Sequence, residues 1–337
     1  MELILTDTHL TDTNIEENLN IYNQAIAIAK EHELGRVLHG GDVFNSRASQ
    51  KLSTLKGFKR ILKLFKKNDM ELYVIPGNHD KTDQTKTDSY LDIFDDHQNL
   101  VVFKGTEKPL QIGSDSWLHF FPFFQEDVYR ELLLKREIQP GKNMMLTHYG
   151  ISGALDNDGN KTDSKIETGL FSKYHKVLIG HYHNRQKIGS KIEYIGSTHQ
   201  ANFGEDDQKG FTLLKDDGST QFIQSNFKKF IKVSFKEIDK VEIEKKIEEY
   251  SNSGENVRFE FECSEEELLK IDLEKIKKKG IDSKTKIITK VQSEEDINET
   301  TIKFTSSDLV KNLISYCQEE KIAADKRTYG LKLLKEV

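Results

Sequence analysis

Short motifs rich in histidine, aspartate and asparagine follow one another between Asp7 and His183 of a 337-residue chain: Asp7-Thr8-His9, Gly41-Asp42, Gly77-Asn78-His79-Asp80, a solitary His148, and Gly180-His181-Tyr182-His183. Imidazole nitrogens and carboxylate oxygens without thiolates form a donor set suited to Mn²⁺, Fe or Zn²⁺ rather than copper or an iron-sulfur cluster. Two such cations held about 3.5–4 Å apart need a shared anionic ligand. Asp42 is the best candidate for that bridge. At the end of a strand an extended Asp-x-His places Asp7 and His9 on one side, where they can grip a cation together. His181 and His183 repeat the arrangement, Asn78 offers a neutral carbonyl oxygen, and His148 adds an imidazole from another strand. Each motif alone is common by chance; the ordered set reads as a two-metal phosphoesterase site. The donor list leaves the metal open.

Elements must bring these groups together, and each motif ends an apolar run: Leu3-Ile4-Leu5, Val37-Leu38, Leu72-Tyr73-Val74-Ile75, Met144-Met145-Leu146 and Val177-Leu178-Ile179. Each therefore belongs where a buried strand meets a loop, as in open α/β sheets. The first part has βαβ rhythm, with strands expected at Glu2 to Leu5, Arg36 to His39 and Glu71 to Ile75, and helices from Glu16 to about His32 and near Gln50 to Lys67. From about Val101 the pattern shortens to strands, at Trp117 to Phe121, Met144 to Thr147, Val177 to Gly180, Arg185 to Ile188, Lys191 to Ile195, Phe211 to Leu214 and Thr220 to Gln224. This predicts two sheets packed face to face with helices outside and the ligands along one rim. After about Phe227 glycine becomes sparse, and charged helical stretches alternate with strands at Phe230 to Phe235, Val257 to Phe261 and Thr285 to Val291. The expected division is 1–226, a small α/β domain at 227–300, and a helical segment at 301–337 whose stripe of Leu309, Leu313, Ile314 and Tyr316 docks on the protein or on a partner.

Composition narrows the classes. Charged residues make up 31% of the chain and the mean hydropathy is −0.63. No run approaches the roughly 18 apolar residues of a membrane span, and no basic, signal-like region precedes the first strand, so the expectation is a cytoplasmic protein with no membrane partner. Cys263 and Cys317 lie far from the motifs and suggest neither a disulfide framework nor a thiolate site. A net charge of −6 argues against whole-surface attraction to nucleic acid, so a polyanion must be held locally. Lysine runs that could do so are Lys59, Arg60, Lys63, Lys66 and Lys67; Lys228, Lys229 and Lys232; and Lys275, Lys277, Lys278, Lys279, Lys284 and Lys286. As runs, they also read as solvated faces.

Other polar groups take the plainer reading. His39 and His119 lie within apolar strands, and His32, His97 and His175 near loops or helix ends, so all read as structural; His199, after the Gly196-Ser197 turn, is left open. Asp156-Asn157-Asp158-Gly159-Asn160 with Glu167 matches several oxygen positions of a calcium loop but lacks the glycine at its sixth place, and reads as a polar surface loop.

These motifs resemble the calcineurin-like metallophosphoesterase superfamily over roughly the first 225 residues. Thr6-Asp7-Thr8-His9-Leu10, Gly40-Gly41-Asp42-Val43-Phe44, Pro76-Gly77-Asn78-His79-Asp80, Gly180-His181-Tyr182-His183, Tyr194-Ile195-Gly196-Ser197, Asn202-Phe203-Gly204-Glu205 and Lys209-Gly210-Phe211 look like the SbcD, or meiotic recombination 11-type, nuclease branch, in a compact version similar to those of T-even-like phages. The resemblance implies a four-layer α/β/β/α sandwich with a small capping domain. It implies two Mn²⁺ ions, one held by Asp7, His9, Asp42 and His183 and the other by Asp42, Asn78, His148 and His181. His79 would be the catalytic histidine beside the metals, with Asp80 orienting it. The chain departs from the pattern at Asn45, where many members carry an acidic residue. The implied activity is hydrolysis of DNA phosphodiesters as an exonuclease or endonuclease in recombination and repair. Because the chain has no G-x-x-x-x-G-K-[ST] phosphate loop, ATP-driven steps would fall to an SbcC-like, SMC-related ATPase, with Ser306 to Lys335 helping to bind it. A homodimer is also open.

The rivals are a cyclic-nucleotide phosphodiesterase or phosphatase of the same superfamily, and a non-catalytic DNA-end scaffold. Gly41-Asp42 is not followed by Asp-Arg-Gly, and the third motif ends in Asp80 rather than Glu, which counts against a phosphatase. An intact ligand set counts against a scaffold.

Overall fold

A computed structural model describes residues 1–105 and 107–287. In chain order the elements are β1 (Glu2–Leu5), α1 (Ile15–Glu31), β2 (Arg36–His39), α2 (Leu52–Lys67), β3 (Glu71–Val74), β4 (Leu100–Val102), β5 (Leu110–Gly113), β6 (Ser116–Phe121), α3 (Glu126–Lys135), β7 (Lys142–His148), β8 (Lys176–Gly180), β9 (Gln186–Ile188), β10 (Ile192–Tyr194), β11 (Gly210–Leu214), β12 (Thr220–Gln224), β13 (Phe230–Phe235), α4 (Lys240–Tyr250), β14 (Asn256–Cys263), α5 (Glu265–Leu268), α6 (Leu273–Lys278) and β15 (Asp282–Ile287). Short 3₁₀ turns occupy Tyr90–Phe94 and Thr168–Phe171.

Two six-stranded mixed sheets carry the fold, in the orders β12-β11-β1-β2-β3-β4 and β5-β6-β7-β8-β10-β9. Strands β1 to β4 run parallel in the first sheet, as do β6, β7, β8 and β10 in the second. The continuous apolar runs follow from this, because both faces of these strands are covered. Leu3 and Leu5 point to the helix side, against Tyr22, Ile26, Phe58 and Phe65, while Ile4 points to the other sheet. Met145, Val177 and Ile179 likewise pack outward with Tyr129 and Leu133 of α3, whereas Met144, Leu146 and Leu178 meet Ile4 and Leu38 between the sheets. The layers are therefore helix, sheet, sheet and helix.

The chain then builds a smaller three-stranded parallel sheet, β13-β14-β15. Along β14 buried and half-buried residues alternate, the mark of a sheet covered on one face only. Phe259 and Phe261 pack there with Ile243 and Ile247 of α4 and Ile276 of α6. The open face carries Lys232, Arg258 and Asp282 in register, then Ser234, Glu260 and Lys284.

Strands β4 and β5 and helix α3 had not been expected from the sequence: β4 and β5 span only three and four residues, and α3 shows its apolar period over only ten. The last expected strand, Thr285 to Val291, starts earlier, at Asp282, and its far end lies outside the described residues, as do Cys317 and the segment Ser306 to Lys335. Among the described residues no helix is long and apolar enough to cross a membrane.

Candidate metal centre

Because the motif-bearing strands are parallel within each sheet, their C-terminal ends open on one rim. The first sheet delivers Asp7 and His9 after β1, Asp42 after β2, and Asn78 and His79 after β3; the second delivers His148 at the end of β7, and His181 and His183 after β8. The loops are zipped together by backbone hydrogen bonds: Asp7 N–H to Gly41 O at 3.0 Å, His9 N–H to Asp42 O at 3.1 Å, and Gly40 N–H to Leu5 O at 2.7 Å. Asp7, His9, Asp42 and His181 all have positive φ, of 54°, 41°, 56° and 94°. Non-glycine residues adopt that region rarely and at a cost, and such strain collects at functional sites. Two glycines are fixed by close approach. A Cβ on Gly41, whose φ is +98°, would lie 2.5 Å from His148 Nδ1, and one on Gly77 would lie 2.2 Å from Asp42 Oδ1.

The side chains converge as overlapping clusters of Asp7, His9 and His183; His9, Asp42 and His79; and Asp42, His148 and His181. Asp42 joins the last two. Its Oδ2 is 3.2 Å from His148 Nε2, 3.8 Å from His9 Nε2 and 4.0 Å from His79 Nε2. His9 Nε2 faces His183 Nε2 at 3.0 Å, and Asn78 Oδ1 lies 3.1 Å from His148 Nε2 and 2.9 Å from His181 Nδ1. The opposite nitrogens of two rings have acceptors of their own: His148 Nδ1 donates to Gly40 O at 2.8 Å and His183 Nδ1 to Glu205 Oε1 at 2.8 Å. That aims both Nε2 atoms inward, where a cation that displaces any proton they carry would meet their lone pairs, as a metal-binding histidine requires. His9 Nδ1 is buried without a protein partner among the described residues.

The Asn78 amide can face the two rings with either end. Nitrogen-first it donates to both rings and its oxygen accepts from Arg47 Nε at 3.2 Å; oxygen-first it adds an amide oxygen to the ring nitrogens of His148 and His181. The first arrangement suits the protein alone and the second a bound cation, and atom positions do not distinguish them. Facing lone pairs, a shared carboxylate and an amide oxygen together fit two divalent cations.

Electrostatics point the same way. Burial alone would raise Asp42, but the surrounding imidazoles of His148, His9 and His79 outweigh it and hold the carboxyl well below the usual range. Burial would lower His148, yet Asp42 and Asp7 push it up to about 9. His181, where burial dominates, is pushed down to about 3. A buried Asp42 carboxylate among imidazoles is a place for positive charge.

One expected role is corrected. Asp80 does not orient His79: its carboxylate accepts the backbone N–H groups of Gly77 at 2.8 Å, Phe44 at 2.9 Å and Val43 at 3.2 Å, tying the second and third motif loops together. His79 Nδ1 instead meets the carbonyl oxygen of Asn45, so the position where the chain departs from the family pattern supplies a backbone group. Burial, with the charge of Asp42, pushes Asp80 up to about 7. The polar loop at 156–160 is held by Asp156, which accepts the N–H groups of Asp158 and Asn160, while Asn157 Oδ1 accepts the His183 N–H at 2.8 Å. His39 reads as structural, buried at 3.0 Å from Thr8 Oγ1.

Sequence reasoning gave no role to three residues. Glu205 holds His183 and pairs with the buried Lys209 at 3.1 Å, and Lys209 in turn donates to the His183 carbonyl at 2.7 Å. Both stand in segments that carried the resemblance, which was the available signal. Arg47 places Nη2 3.3 Å from His79 Nε2, and nothing in its sequence context distinguished it.

This fold and rim of donors define a class. The sequence pattern of the calcineurin-like phosphoesterase superfamily domain matches residues 1–214, and the chain belongs to that superfamily of metal-dependent phosphoesterases. It is similar to exonuclease subunit 1 of enterobacteria phage T4, with 23% identity over 208 residues that span 60% of this chain and 60% of that relative's length. A solved crystal structure with 10% identity aligns with 66% of this chain and 98% of its own, at a TM-score of 0.45, a likeness too slight to bear on function.

Proposed function

We propose that the chain is the nuclease subunit of a DNA end-processing complex that hydrolyses phosphodiester bonds with two divalent cations, Mn²⁺ foremost. The observation that carries this reading is Asp42, shared between clusters contributed by both sheets. Asp7, His9, Asp42 and His183 would hold one cation, and Asp42, Asn78, His148 and His181 the other. Bound there, such a pair would lower the pKa of water and neutralise charge on phosphoryl oxygens. The protein's own groups do the rest. Asn45 fixes the His79 ring through Nδ1, leaving Nε2 at the mouth of the site to meet the leaving 3′ oxygen. Asp80 holds the loops that carry Asp42 and His79 in place.

DNA as substrate is favoured by the similarity to a phage exonuclease subunit; the open face of the small sheet mixes Lys232, Arg258, Lys284 and Lys286 with Glu260, Glu262 and Asp282, and Arg258 and Lys286 are paired to Asp282 and Glu262. In this reading 1–226 is the nuclease domain, 227–300 the capping domain and 301–337 the segment that meets an SbcC-like ATPase, all in the cytoplasm. The reading includes pairing with a second copy of the chain, which sedimentation of the protein tests: a monomer across the accessible concentrations removes it.

Digestion of end-labelled single- and double-stranded DNA with Mn²⁺, beside turnover of a cyclic nucleotide, tests the activity. DNA shortening that requires metal supports it; turnover of the nucleotide alone transfers the chain to the small-ester branch.

A further inference from the structure

Arg47 is exposed on the loop after the Asp42 motif and makes no ion pair among the described residues. Its position is nevertheless set. The backbone carbonyl of Arg47 accepts the Tyr90 hydroxyl at 2.9 Å, and its Nη2 lies 3.3 Å from His79 Nε2. Asn45, two residues earlier, accepts from the other nitrogen of the same ring, so one short segment brackets His79 with a carbonyl on Nδ1 and a guanidinium on Nε2. With Nδ1–H committed to Asn45, Nε2 is an acceptor, and it is a weak one. Once the Asn78 oxygen turns toward the imidazoles, Asn78 offers Arg47 only N–H groups, and the guanidinium keeps His79 as its one acceptor here.

An anionic phosphate oxygen accepts from arginine more strongly than a neutral ring nitrogen does, and the planar fork of arginine matches two such oxygens. A phosphodiester entering beside Asp42 would therefore draw Arg47 off the ring. We propose that Arg47 binds a non-bridging oxygen of the scissile phosphate and, by exchanging His79 Nε2 for it, uncovers that nitrogen, which takes up a proton from water and holds it toward the leaving oxygen. This assignment rests on the phosphodiesterase reading above. No covalent step is added: Arg47 supplies charge and two N–H groups where negative charge develops, and keeps its own proton.

The test uses the full chain reconstituted with Mn²⁺, as wild type, Arg47→Ala and Arg47→Lys. Substrates are bis(p-nitrophenyl) phosphate, which has a single phosphodiester and no neighbouring phosphates, and end-labelled DNA. Arg47→Ala is expected to lose about 100-fold in kcat/KM on both substrates, the scale of removing one preorganised donor, with Arg47→Lys keeping part of the activity and Mn²⁺ stoichiometry by calorimetry equal to wild type. Arg47→Ala activity within about threefold of wild type on the small diester overturns the proposal. So does a loss confined to DNA, which would place Arg47 on a neighbouring phosphate. A wild-type protein that turns over neither substrate defeats the phosphodiesterase reading itself, an outcome separate from either result for Arg47.

Discussion

Glu205 holds His183 from behind: its Oε1 accepts the ring Nδ1–H at 2.8 Å while its Oε2 pairs with Lys209 Nζ at 3.1 Å. Only 7% of Glu205 is exposed, so the carboxylate is screened little and fixes both the tautomer and the tilt of the imidazole. Lost partners of this kind typically cost about 10–100-fold in metal affinity. Glu205→Gln, nearly equal in volume, is expected to weaken Mn²⁺ binding on that scale for one equivalent only, read by calorimetry. Equal loss at both equivalents would mean that the whole rim had moved.

Asp80 makes a different prediction because its partners are backbone groups. Asp80→Ala leaves the N–H groups of Gly77, Val43 and Phe44 without their acceptor, and each buried orphan costs about 1–3 kcal/mol. The variant is expected to melt several degrees lower and to bind metal poorly. An unchanged melting temperature with only kcat reduced would restore Asp80 to a role on His79.

His79 touches the site without completing it, since its ring is fixed by Asn45 and its Nε2 stands 4.0 Å from Asp42 Oδ2. His79→Ala is expected to lower DNA cleavage by about 100-fold or more, the range of general acid catalysis, while metal stoichiometry stays as in wild type. Undiminished cleavage by that variant would remove His79 from the chemistry.

Glu193 gives the pH dependence. It is 4% exposed and bonded to Lys176 at 2.7 Å, Arg185 at 3.0 Å and Thr220 at 2.9 Å, linking the second sheet to β12 of the first. Burial would raise its pKa, but Lys176, Thr220 and Arg185 outweigh burial and lower it from 4.5. A depressed carboxyl contributes stability that is present above its unfolded value and lost as pH falls through the folded one. Glu193→Gln, which leaves Lys176 and Arg185 without their buried carboxylate, should be less stable by about 3 kcal/mol near neutrality, and the charge-dependent part of its difference from wild type in urea unfolding should shrink as the pH drops below 4.5. A constant difference across that range would show that the charge of Glu193 is not what stabilises it.

The gathering of Asp7, Asp42, Asn78, His148 and His181 was legible because each ends an apolar run, and parallel strands covered on both faces must deliver their ends to the same rim. The helix-sheet-sheet-helix layering was legible for the same reason, in alternations such as Leu3, Ile4 and Leu5. Partners set by tertiary approach were not. That Asp80 turns away from its neighbour His79 toward Val43 and Phe44, that Asn45 acts through its carbonyl, and that Arg47 returns to His79 all depend on how two loops pack, which spacing does not encode. Helix α3 escaped notice because ten residues give too few turns for a period to stand out.

The most direct test of the account is a titration of the metal-stripped protein with Mn²⁺ while cleavage of end-labelled double-stranded DNA is followed, with Asp42→Asn in parallel. The account predicts no cleavage without metal, activity that saturates near about two equivalents per chain, and none at any level for the Asp42 variant. Cleavage by the stripped protein, or an Asp42→Asn chain that binds metal and cuts like wild type, would contradict a site built around one shared aspartate.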